Sequence, residues 1–228
     1  GLVAETVEVS GDGNAYIFNL RPEARFNDGK PITAYDVAFS YRLLLAEGHP
    51  QYRTNLQEVK RVDILGRHRI RFVFKRAGNP LLILRLGELP VLPQHYWKGR
   101  DFKSTTFEPP LGSGPYRIVE VVPGRRLVFE RVKNWWGKDL PVNRGKYNFN
   151  RVEVEFYRDN NVAFEAFKAG EFDFYIENQA KNWSNGYNFP AVARGEVVRA
   201  EIPHRIPTQT QALFMNSRRA LFSDRRVR

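Results

Sequence analysis

Cysteine is absent from the 228 residues, which excludes disulfides, thiolate metal sites and cysteine nucleophiles in one step. Long apolar runs are absent too, and none approaches the roughly 18 residues that a membrane-crossing helix requires. Histidine is scarce. His49, His68, His95 and His204 stand far apart, without H-E-x-x-H or any other metal-ligand spacing. No G-x-S-x-G elbow marks a nucleophilic serine, and no pair of carboxylates is set apart for acid–base work. The sequence therefore gives no support for an enzyme, and no cofactor or metal is expected.

Acidic side chains are outnumbered, 25 against 36 basic, for a formal net charge of +11. Such a surface can attract nucleic acid or anionic membrane. The basic residues are scattered, however, with adjacent pairs such as Lys60-Arg61, Arg125-Arg126 and Arg225-Arg226 and no block of five. No ribonucleoprotein motif accompanies them, so no nucleic-acid partner is expected. A basic nucleic-acid-binding fragment stays as a rival that steep salt dependence would betray. Phosphate-binding loops are missing as well. Gly112-Ser113-Gly114-Pro115 precedes an alternating strand pattern and not a helix, which suits a sharp bend into a sheet.

What is present is a globular composition, 42% apolar and 14% aromatic. Residues 26–45 organise the reading. Asp28-Gly29 is a turn signal, Pro31 stiffens the approach to Thr33, and Asp36 follows Thr33 at capping-box spacing. Val37, Ala38, Tyr41, Leu44 and Leu45 then recur at helical spacing until Gly48 and Pro50 close the run. Upstream, Val7 and Val9, then Tyr16, Phe18 and Leu20, alternate as strands around the turn at 11–14. Val62 and Ile64, then Ile70, Phe72 and Phe74, form a second such pair around Gly66.

Residues 81–86 read as a short buried helix and 94–97 as another turn of helix. Strands follow from Tyr116, from Leu127 and from Val152. Between the last two, Trp135 and Trp136 sit in a Gly- and Pro-punctuated loop, either pinned to the body by their rings or stacking on a ligand. Asn160 or Asn161 caps a helix bearing Phe164 and Phe167, closed by Gly170, and Phe172, Phe174 and Ile176 continue as a strand. That strand–helix–strand order is compatible with a parallel crossover and argues for an α/β portion.

Four passages in order resemble one family. Phe26, Asp28, Gly29, Pro31, Ile32, Thr33, Ala34, Asp36, Val37, Phe39 and Ser40 match a signature of the large extracellular solute-binding proteins of ABC importers, the oligopeptide- and nickel-binding group. LGSGPY at 111–116, FEAFKAGEFDF at 164–174 and NSRRALFSDRRVR at 216–228 resemble three later segments of it. WGKDLPVNRGKYNF and ENQAKNW look closest to its YejA-type peptide-binding branch. The resemblance implies a mixed α/β (α+β) lobe of a type II periplasmic-binding-protein-like fold, with a mixed sheet, flanking helices and a hairpin subdomain. It implies a hairpin and helix subdomain at 1–110, an α/β part at 111–215 with late strands of lobe I at 197–202 and 212–214, and at 216–228 the start of a crossing to a second lobe. Residues 1–228 would then be a lobe I piece of a longer protein, with a signal peptide upstream and hinge closure over the ligand.

The function implied is capture of a short peptide or peptide-like ligand in the periplasm, by a monomer, for an inner-membrane ABC permease. A sugar or nickel ligand on the same fold is the alternative. For such a ligand the stretch after Ile176 is the candidate site: Glu177, Asn178, Lys181, Asn182 and Trp183 place carboxylate, amide, ammonium and indole groups just beyond an expected strand end. Glu177 would meet an α-ammonium, Lys181 a carboxylate, the two asparagines the peptide backbone, and Trp183 a side chain. The bland alternative is a solvated helix cap and loop.

Overall fold

In the computed structural model, which describes residues 2–77, 81–203 and 212–227, the chain divides into two units, Gly1–Asn160 and Asn161–Arg228. Residues 78–80 and 204–211, His204 among them, lie outside the described residues, as do the two terminal residues.

In the first unit, β1 (Ala4–Val9), β2 (Ala15–Leu20), β3 (Val59–Gly66) and β4 (Arg69–Phe74) make an antiparallel sheet of order β1-β2-β4-β3. The two expected hairpins thus share one sheet. Register places Tyr16 opposite Phe72 and Ile64 opposite Ile70. Period-2 alternation then sends Ile70, Phe72 and Phe74 into the core, while Arg69 and Arg71 point outward to pair with Glu8 at 3.0 Å and Asp63 at 2.8 Å.

Helix α1 (Ala34–Glu47) covers the dry face with Val37, Ala38, Tyr41 and Leu44, and Tyr41 meets Phe72 edge-on at 5.8 Å. Its start is built as the Thr33/Asp36 spacing predicts: the buried Asp36 carboxylate accepts from the Thr33 N–H at 2.9 Å and the Thr33 hydroxyl at 2.6 Å. It also accepts from the Gln94 N–H at 3.0 Å. Ser40, fully buried one turn on, donates to the Asp36 carbonyl at 2.6 Å and accepts from the Leu92 N–H at 2.7 Å. Two polar residues of one helix therefore fasten a segment more than fifty positions away, the approach to α4 (Gln94–Trp97). Pro50 does not merely end α1. It opens the seven-residue α2 (Pro50–Leu56), because proline suits a first helical turn. Helix α3 (Leu81–Gly87) forms where the crowded apolar run predicts a buried one, but it buries only Leu82 and Leu86 and leaves Leu81 and Leu84 exposed.

A second antiparallel sheet joins β5 (Tyr116–Val122), β6 (Arg126–Arg131) and β7 (Arg151–Glu155) in that order. The tryptophan loop between β6 and β7 is pinned. The Trp135 and Trp136 indole N–H groups both donate to the Ser113 carbonyl, at 2.8 and 3.1 Å, and Trp135 is only 4% exposed. A Cβ on Gly137 would meet the Trp135 ring at 2.8 Å, so only glycine fits beneath it. The sequence-level choice between pin and ligand platform falls to the pin.

The second unit contains α5 (Asn160–Lys168) from its second residue on, then α6 (Ala180–Asn185) and α7 (Pro190–Ala193). Residues 172–176 form no strand, and neither do 197–202 or 212–214. The parallel crossover is therefore absent among the described residues, where every strand pairing in both sheets is antiparallel. Alternation marks a strand only when a neighbouring strand supplies ladder bonds. Phe174 and Ile176 instead stand 70% and 66% exposed.

Candidate functional site

The stretch after Ile176 is organised by aromatic rings. Helix α5 ends close to Gly170, and its Phe164 and Phe167 form one wall: Phe167 stacks on Tyr175 at 5.5 Å, and Phe164 meets Tyr187 edge-on at 5.3 Å. Tyr187 continues the cluster to Phe189 and Trp183, each at 6.1 Å. Short helix α6 ends against this wall, since a Cβ on its capping residue Gly186 would lie 3.1 Å from the Phe164 ring.

Glu177 is half-buried beside the cluster and its carboxylate is engaged. One oxygen accepts from the Gln179 N–H at 2.7 Å, and the other receives a long 3.4 Å bond from the Tyr187 hydroxyl. Burial, then the Glu177 charge and this bond, push the Tyr187 phenol up to about 12. Burial and the same charge raise Tyr175 as well.

The donors are in the opposite condition. Asn178 and Lys181 are exposed, while the Asn182 Nδ2 is buried with no acceptor among the described residues. Trp183 is half-buried, and its ring and carbonyl hold a residue the sequence reading missed: Arg199 donates to the Trp183 carbonyl at 2.6 Å and lies 5.3 Å over the Trp183 ring and 5.9 Å over Tyr187. The structure thus brings Glu177 and Trp183 to one aromatic cluster through Tyr187, with Lys181 and Asn182 on the intervening helix and Asn178 just before it. Tyr187 was within reach of sequence reading, through the density of rings between 164 and 189. Arg199 carried no such signal.

The first unit offers a different kind of cavity. A cleft of about 640 Å³ beside β1 is lined mainly by apolar groups, among them Val3, Phe18, Leu20, Ile83 and Leu86.

Residues 1–228 match the family model for bacterial extracellular solute-binding proteins, family 5, middle region, from first to last. The chain belongs to that family. Among curated proteins, the chain is 38% identical to a protein of Agrobacterium fabrum described as a probable peptide-binding protein YejA, over all of the chain and 38% of the relative. It is also 38% identical to the peptidoglycan-binding protein YepA of the same organism, with the same coverage of both. Among solved structures it resembles the ABC transporter substrate-binding protein CtaP of Listeria monocytogenes, with a TM-score of 0.63 and 26% identity over 75% of the chain and 35% of CtaP. The chain spans a little over a third of the length of these relatives. Its fold is accordingly the mixed α and β, type II periplasmic-binding-protein-like arrangement that the four sequence passages imply, with antiparallel sheets in the portion described.

Proposed function

We propose that this chain is part of the peptide-capturing component of an ABC importer, exported to the periplasm, acting as a monomer and delivering short peptides to an inner-membrane permease. The observation that carries the reading is the match of the whole chain to family 5, joined to relatives named for peptide and peptidoglycan binding. The ligand site we assign is the α6 region, with Glu177, Asn178, Lys181, Asn182 and Trp183 around the aromatic cluster. A peptide alternates carbonyl acceptors, amide donors and side chains, and it needs mixed polar and ring partners in one place. The apolar cleft beside β1 offers few such partners. The name of YepA favours one refinement, that the peptides include those of peptidoglycan.

Thermal shift on the full-length protein, with di- to octapeptides, simple sugars, Ni²⁺ and a short oligonucleotide at low and moderate salt, tests the reading. A ligand at 100 times its Kd stabilises a fold by roughly 2.7 kcal/mol. A saturable peptide shift that survives salt supports it. A shift with sugar or Ni²⁺ alone replaces peptide by that solute, and a salt-sensitive oligonucleotide shift alone overturns the family-based function.

A further inference from the structure

The α6 region has spent its acceptor and kept its donors. Both Glu177 oxygens are engaged within the chain, by the Gln179 N–H and the Tyr187 hydroxyl. A ligand ammonium arriving there would have to displace a 2.7 Å bond from a backbone amide. On the donor side, one N–H of Arg199 reaches the Trp183 carbonyl, and the rest of its guanidinium finds no acceptor among the described residues. That guanidinium is not loose, because the carbonyl bond and the two rings hold its position. An exposed guanidinium held in place with N–H groups to spare matches a carboxylate in bidentate fashion. Lys181 is exposed on the six-residue helix that carries Trp183, and the Asn182 Nδ2 adds a buried donor with no acceptor among the described residues. Glu201 is exposed two residues after Arg199 and makes no ion pair with it among the described residues.

Resting on the peptide-capturing reading, we infer that Arg199 is a specificity-determining residue that binds a ligand carboxylate, so that this region grips the acidic part of a peptide and not its amino end. The carboxylate has two possible sources, the peptide's C-terminus and an acidic side chain, and they share the chemistry.

Calorimetric binding to the full-length protein separates them with four probes: Ala-Gln-Ala, Ala-Gln-Ala-amide, Ala-Glu-Ala and Ala-Glu-Ala-amide. A C-terminal grip makes each free acid bind about tenfold or more tightly than its amide, and a side-chain grip makes the Glu peptides bind that much better than the Gln peptides. In Arg199→Gln the preferred ratio falls to near one, while Arg199→Lys keeps part of it because the charge remains. A ratio within twofold in the unmodified protein overturns the inference and leaves peptide capture standing, whether or not the variants fold. Equal loss for all four probes in a folded Arg199→Gln assigns the residue to structure alone and also overturns it. Failure of every probe to bind removes the peptide reading itself.

Discussion

A single carboxylate illustrates how much one side chain organises. Asp36 is 6% exposed and serves the Thr33 N–H, the Thr33 hydroxyl and the Gln94 N–H together. Asp36→Ala removes a helix cap and strands a partly buried backbone donor, so it should cost about 2–3 kcal/mol. Urea unfolding checks this: the midpoint should fall with an unchanged slope, and a loss below about 0.5 kcal/mol would mean that water replaces the carboxylate freely. Half of this device was legible in the sequence. Thr33 and Asp36 are three apart and announce the cap, but Gln94 and Leu92 are distant in the chain and nothing local connects them. A second residue-scale consequence concerns Tyr187. Its phenol is held protonated to about 12, above the ordinary tyrosine value of roughly 10. A folded-state pKa above the unfolded one contributes stability that is full below about 10 and is lost as pH rises through 12. Ultraviolet titration should therefore show a late-ionising phenolate that disappears in Tyr187→Phe. Its titration with the ordinary tyrosines would contradict the burial beside Glu177.

Elements follow the sequence wherever their partners are close in the chain. The strands β1 to β4 are joined by tight turns or flank the helices α1 and α2, and they form where the sequence patterns place them. Phe72, 2% exposed and touched by Phe18 and Tyr41, marks the centre of that layer. Phe72→Ala should cost about 3–5 kcal/mol, measured by the same urea transition, and a cost near 1 would show that the neighbouring rings collapse into the space. The tryptophan loop also makes a sharp demand. Gly137→Ala pushes a methyl group into the Trp135 ring and should destabilise by about 1–3 kcal/mol, with a change in tryptophan fluorescence; a silent substitution would contradict the pinned loop. Residues 172–176 failed as a strand for a physical reason. The apolar alternation of Phe172, Phe174 and Ile176 is real, but a ladder partner is a property of the surrounding structure and not of the stretch itself. Among the described residues the rings of Phe172 and Tyr175 gather instead on Phe167.

For the whole molecule, composition narrowed the field by subtraction, and the wording of four passages supplied the family before any coordinates. Their order along the chain carries more than any one of them, since each alone is an ordinary turn or helix. The candidate site was legible as a stretch, through its mix of carboxylate, amide, ammonium and indole groups. Its internal pairing was not. That Glu177 is occupied from within, and that Arg199 lies over Trp183, depends on how residues 177–199 fold back on the rings of α5. Hydrogen–deuterium exchange on the full-length protein, with and without a saturating mixture of tri- to pentapeptides, tests the proposed capture site most directly. Peptide capture at the α6 region predicts slowed exchange across residues 177–199. Peptide binding that leaves this stretch unchanged and protects other segments would contradict it.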